Sequence, residues 1–188
     1  MQSGHRICSH AHRRQEVRMQ LLATRQVSQL LTHPNLDLRQ YAGLWYEYAR
    51  LPNGYQVDCT GEVSVNYTLL ADSTMDVHFR CENPDCHILS ADAEMRPSRR
   101  FENIDPAKLE IRFKSDWLSA PSSVWRDHWV LYVDPTYEHA MIGTPDRRCL
   151  WMLGRSRVPN RLALQTMLRY AAQLGFKVNR VLRTGETG

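Results

Sequence analysis

The side chains best suited to chemistry are five cysteines, eight histidines, and the arginines and tryptophans that gather in the turns. Two groupings have the composition of a metal site. His5, Cys8, His10 and His12 offer four nitrogen and sulfur donors, the set that zinc takes, but they lie in a basic segment with nothing to orient them. Cys81, Cys86 and His87 offer three donors with no evident fourth. Neither is read as a metal centre. A disulfide is the simpler use of sulfur. Cys59 opens and Cys81 closes two successive runs of alternating polarity, so they fall on neighbouring strands and can be bridged if their Cα atoms lie within ~7 Å. Cys81 with Cys86, across a short loop, is the rival pairing. Either bridge implies an oxidising compartment.

The elements that must position these groups follow from composition and period. With 188 residues, 43% of them hydrophobic, the chain suits one well-buried domain, expected over residues 36–183, with a basic extension over 1–35 and a flexible tail over 184–188. The net charge of +4 belongs to the extension, where Arg6, Arg13, Arg14, Arg18 and Arg25 face Glu16 alone. The rest is neutral overall, which argues against a nucleic-acid partner, since phosphate binding needs concentrated Lys and Arg. The extension carries no apolar core or cleavage site of an export signal and no lipoprotein signal before Cys8. It reads as disordered or weakly helical. No apolar run approaches the ~20 residues of a membrane-spanning helix.

After Asn35 the period becomes two. "GEVSVNYTLL" sets Val63, Val65, Tyr67 and Leu69 on one face, a turn follows, and "MDVHFRC" repeats the pattern at Met75, Val77, Phe79 and Cys81. With similar runs at 44–51, 88–95, 109–114, 126–134, 139–143 and 149–155, this makes eight strands joined by short links. The expected fold is all-β, an eight-stranded antiparallel up-and-down β-barrel, because closure removes both exposed edges. One C-terminal α-helix is expected in "PNRLALQTMLRYAAQLGF", where Leu164, Met167, Leu168, Ala171 and Leu174 form an apolar stripe and Gly175 ends it.

Three blocks in order carry a resemblance. They are Gly43-Leu44-Trp45-Tyr46-Glu47 leading into Leu51-Pro52-Asn53, then Trp129-Val130 through Asp134-Pro135-Thr136-Tyr137, then Leu150-Trp151-Met152-Leu153-Gly154-Arg155 before the helix. Over residues 36–183 the chain resembles the lipocalin family, in its bacterial outer-membrane branch that is also similar to apolipoprotein D. Strand counting agrees with it. In an up-and-down barrel Trp45, the 134–137 turn and Arg155 share one end, which Trp45 can plug with Arg155 across its indole while Gly43 lets the backbone pass close by. Gly43, Trp45, Asp134, Tyr137 and Arg155 are thus a structural signature. The links 52–59, 82–87, 115–125 and 144–148, with Tyr55, His87, Trp117, Trp125, Arg147 and Arg148, share the open end.

The resemblance implies binding and transport or storage of a small hydrophobic or amphipathic ligand, a fatty acid or lysophospholipid, with no cofactor and no enzymatic activity. Alternation phase nominates Val65, Tyr67, Val77, Phe79, Ala91, Ile111, Phe113, Trp129 and Leu131 as the cavity wall. Some lipocalins are isomerases that use a cavity thiol, for which Cys81 is the nearest candidate, although no His or carboxylate spacing supports it. A haem would need an inward histidine, whereas His78 and His128 both read as outward. Glu47 shares the inward face of Trp45 and reads as a carboxylate held by a Tyr or Arg near the closed end. A membrane-surface module with Trp117, Leu118 and Trp125 docking the rim is the alternative, and a homodimer is compatible with the sequence. The resemblance suggests the periplasm or outer membrane, a location with which the missing export signal conflicts.

Overall fold

The computed structural model describes residues 30–101, 104–115 and 122–185. The expectations for the basic extension, including the His5, Cys8, His10, His12 cluster, and those for Trp117 and Leu118, lie outside the described residues.

Eight antiparallel strands close on themselves: β1 (Gly43–Arg50), β2 (Val63–Leu69), β3 (Met75–Glu82), β4 (Ile88–Pro97), β5 (Lys108–Phe113), β6 (Arg126–Val133), β7 (His139–Gly143) and β8 (Leu150–Gly154). Each pairs with its sequence neighbour, and β1 pairs with both β8 and β2, which closes the barrel. The β2–β3 hairpin shows why period two suffices to build it. Val63, Val65 and Tyr67 are buried opposite Cys81, Phe79 and Val77, and the tight turn is set by Asp72, whose Oδ1 accepts from Thr74 N at 3.0 Å.

Two strands break the alternation. The register shifts between Glu47 and Ala49 on β1 and between Val130 and Tyr132 on β6. Each bulge inserts one residue, Tyr48 or Leu131, and flips the faces on either side of it.

Two α-helices stand beside the strands among the described residues. Helix α1 (Leu38–Tyr41) crosses the closed end, started by Asp37, whose Oδ1 accepts from Arg39 N at 2.9 Å. Helix α2 (Arg161–Gln173) is capped by Asn160, which accepts from Leu162 N and Ala163 N, so Pro159 stands just before the cap rather than in the first turn. It buries Leu164, Met167 and Ala171, while Leu168 and Leu174 are only half-buried. The chain leaves α2 through Gly175, at φ +86°, and drives Phe176 against the barrel. A Cβ on Gly143 would stand 2.7 Å from Phe176 and 2.8 Å from Leu131, so β7 needs glycine where they pack.

A two-residue strand, β9 (Leu182–Arg183), was not foreseen from the sequence. It pairs with Ala49 and Arg50 where β2 has parted from β1, and so fills the seam of the barrel near its open end.

Candidate functional site

The closed end is built first, because it fixes where a ligand cannot go. Trp45 is fully buried and donates through Nε1 to Tyr41 O at 2.8 Å. The Arg155 guanidinium lies 3.7 Å from the Trp45 ring centroid and donates to Leu44 O at 2.8 Å, Gln40 O at 2.7 Å and Ala42 O at 2.8 Å. Its Nε donates to Tyr137 O at 3.2 Å. Gly43, at φ +101°, has no Cβ to crowd Arg155, which would otherwise lie 3.2 Å away. In the 134–137 turn, Asp134 accepts from Glu138 N at 2.8 Å and from the His139 ring at 2.7 Å. Burial pushes the Asp134 carboxyl up, but these hydrogen bonds to His139 and Glu138 outweigh it and leave the group below its usual range. The Tyr137 hydroxyl accepts from Asp37 N at 3.0 Å, tying the turn to α1. Every strong donor of Arg155 thus points at protein.

Above this plug, Tyr41, Tyr67, Met75, Val77, Ala93 and Met95 fill the lower barrel. The remaining cavity occupies the upper half and holds about 80 Å³. Val65, Tyr67, Phe79, Ile111 and Phe113 stand on its wall, while Val77 and Ala91 belong to the packed interior cluster instead. Trp129 and Leu131 are corrections. Trp129 faces outward, edge-on to Phe101 at 5.8 Å, and Leu131 lies under Phe176 on the outer wall. The inward residues of β6 are His128 and Val130. The bulge at Leu131 is the cause, since Val133 does face the interior and alternation counted back from it without the extra residue reverses 128–131.

His128 is therefore a cavity residue, contrary to its outward reading. Tyr67 OH and His128 Nε2 are 3.2 Å apart, and the imidazole stacks on Trp151 at 6.1 Å. With no charge beside it, desolvation pushes its pKa down to about 4, so the ring is neutral at physiological pH. Burial likewise pushes the Tyr67 phenol up.

A polar strap holds the roof. Glu47, inward but high in the barrel rather than near the closed end, forms a buried ion pair with Arg50 at 2.6 Å. The same oxygen, Oε1, accepts from Thr184 Oγ1 at 2.5 Å, and the other, Oε2, accepts from Gln56 Nε2 at 2.6 Å. Gln56 Oε1 in turn accepts from Trp151 Nε1 at 2.6 Å, and Arg50 donates to Cys59 O at 2.6 Å. The 52–59 loop, β1, β8 and the segment after β9 are locked by one network. Sequence reasoning missed Gln56, Arg50 and Thr184 as its members, since nothing local marks them.

Cys59 and Cys81 are bonded, with Cα atoms 5.5 Å apart, which joins the upper ends of β2 and β3. Cys81 is therefore no free thiol, and the cavity-thiol enzyme is set aside; Cys86 and Cys149 are the free cysteines among the described residues. No cluster of three or more His, Cys, Asp or Glu that could hold a metal is found among those residues.

Over the cavity lies an open vestibule of about 560 Å³ between the 52–55, 125–127 and 144–149 segments. Tyr55, Arg126, Asp127 and Thr144 belong to both spaces and form the junction. Arg126 sits 5.6 Å from the Tyr55 ring and donates to Val124 O at 2.9 Å; Arg148 lines the vestibule but not the cavity. Two rim residues named from the sequence are used elsewhere. Arg147 donates to Leu174 O at 2.6 Å, capping α2, and His87 is exposed in the β3–β4 turn. Trp125 borders the vestibule with its ring held by Arg96 at 3.8 Å and Arg112 at 4.8 Å.

Comparison with known proteins agrees with this geometry. The family model described as a lipocalin-like domain matches residues 36–186. The chain is 29% identical to temperature-induced lipocalin-1 of Arabidopsis thaliana, over 81% of this chain and 80% of that one. It is 27% identical to the outer membrane lipoprotein Blc of Citrobacter freundii, over 82% and 81%. Insecticyanin of the tobacco hornworm Manduca sexta superposes with a TM-score of 0.63 at 16% identity, covering 83% of this chain and 84% of that one, a likeness of fold. The plugged end, the closed eight-stranded barrel and the family match together place the chain in the lipocalin family, whose members generally bind small hydrophobic ligands.

Proposed function

We propose that this lipocalin reversibly sequesters a single-chain amphiphile, a fatty acid or lysophospholipid, with its hydrocarbon in the cavity and its anionic head in the vestibule. The observation that carries this is the junction: an apolar wall of Val65, Phe79, Ile111 and Phe113 opens through Tyr55 and Arg126 into a roomy polar space that Arg148 also lines. Each methylene taken from water gains ~0.8 kcal/mol, so several offset the ordering cost of binding. Bulkier cargo fits less well, because about 80 Å³ lies well under the ~300–1,000 Å³ of most ligand pockets.

Native mass spectrometry of the purified protein, followed by organic extraction, tests this. A released fatty acid or lysolipid at near one per barrel supports the reading. A barrel that is empty, and whose tryptophan fluorescence is unchanged by added fatty acid although Trp151 lines the cavity, overturns it.

A further inference from the structure

The ring of strands places β2 and β6 on opposite walls, four strands apart. The Tyr67 and His128 side chains meet across that span, so their contact bars the barrel at the level where the cavity ends and the packed interior begins. A bar of this kind is costly in an apolar interior unless its polar atoms are matched. Nε2 of His128 is matched by Tyr67, but among the described residues Nδ1 has no hydrogen-bond partner, and the ring lines the cavity. It is not, however, one of the side-chain nitrogens and oxygens that are sealed from solvent without a partner among the described residues. Nδ1 is therefore not sealed off, on a ring that lines the cavity.

Ligand chemistry follows from the tautomer. If Tyr67 donates to Nε2, the proton sits on Nδ1 and the cavity is offered a donor; if Nε2 donates to Tyr67, it is offered an acceptor. A ketone satisfies the first and a hydroxyl satisfies either. Resting on the amphiphile reading above, we propose that the Tyr67–His128 pair recognises an oxygen function, hydroxyl or keto, carried on the buried part of the ligand's chain, so that the barrel selects oxygenated acyl chains over plain ones. The stacked Trp151 and the Tyr67 contact hold the imidazole in place, so little ordering remains to be done when the ligand arrives.

The test titrates the protein with octadecanoic acid and with its hydroxylated forms, the hydroxyl moved stepwise along the chain, following displacement of a fluorescent fatty acid. One hydroxyl position should bind about tenfold tighter than the plain chain, as one well-placed hydrogen bond in a dry site allows. In H128F the ratio should fall to near one, and in H128Q, which keeps a donor and an acceptor, a preference should return. Plain and hydroxylated chains of equal affinity in the wild-type protein overturn the proposal without any variant having to fold. A preference that survives in H128F also overturns it, by placing recognition elsewhere. If neither kind of chain displaces the reporter, the amphiphile reading itself fails, and this proposal with it.

Discussion

At the closed end Arg155 is enclosed by an indole and the carbonyls of Gln40, Ala42, Leu44 and Tyr137. At the open end Arg126 and Arg148 border a vestibule of about 560 Å³. The same side chain serves two purposes, and the surroundings decide which. A guanidinium whose forked donors all meet backbone oxygen is a clasp, with nothing left to offer a ligand. One placed where an apolar shaft widens into a polar space has its charge at the mouth of the cavity, and the proposed head group would meet it there. Arg50 warns against judging by position alone: it stands at the open end, yet its bonds to Glu47 and Cys59 O make it a clasp too.

The largest effect expected from breaking this comparison is at Trp45. Trp45→Ala should lower unfolding stability by about 3–5 kcal/mol, the range for deleting a large buried aromatic, read from the urea midpoint at constant slope. A loss under about 1 kcal/mol would mean that the plug is not a keystone. The open end has its own fastener. Replacing Cys59 and Cys81 together by Ala should cost about 3 kcal/mol, as expected for releasing a loop of this size, and hydrogen exchange should rise first at the upper ends of β2 and β3. Uniform exchange would show that the bridge acts on the unfolded chain alone.

His128 gives a comparable effect that only pH reveals. Its native pKa, about 4, lies below the ordinary histidine value of 6.5. Above 6.5 both folded and unfolded states hold it neutral. As the pH falls toward 4 the unfolded chain takes up a proton that the native ring refuses, so stability declines across that window, by about 3 kcal/mol at most. His33, also lowered by burial, adds in the same direction. The difference between wild type and H128F, from urea unfolding between pH 7 and 4, isolates the one residue. Parallel curves would mean that the imidazole is hydrated in the native protein.

That pH term was not readable from the chain, and the reason is specific. The eight strands and the plug were readable because hairpin pairing is local and the plug's residues lie in three compact blocks. "DHWVLYV" is different, for one face of β6 meets the barrel interior and the other meets Phe176 and Tyr170 of the C-terminal segment. With both faces covered, polarity no longer marks the inner one, and one bulged residue reverses the assignment of His128, Trp129 and Leu131. The strap is hidden for another reason. Thr184 and Glu47 are 137 positions apart, and Gln56 and Trp151 are 95 apart, so neither contact has a local signature. Three compact blocks held the residues of the plug, whereas Glu47, expected beside it, belongs to the mouth, whose chemistry had to wait for three dimensions.

The smallest effect is the one that separates the two uses of arginine most sharply. Arg148 is exposed on the vestibule wall, so Arg148→Gln should change stability by no more than about 0.5 kcal/mol. Its contribution to an anionic head is that of a solvent-exposed charge pair, about 0.2–1 kcal/mol, hence a loss of roughly 1.4- to fivefold in affinity for a fatty acid. Salt should shrink that loss, because the pair lies in water. The methyl ester of the same acid carries no charge, and its affinity should be the same for wild type and variant. An equal loss for acid and ester would mean that Arg148 shapes the mouth with its methylenes, and Arg126, lower at the junction, would then be the charge that the head group meets.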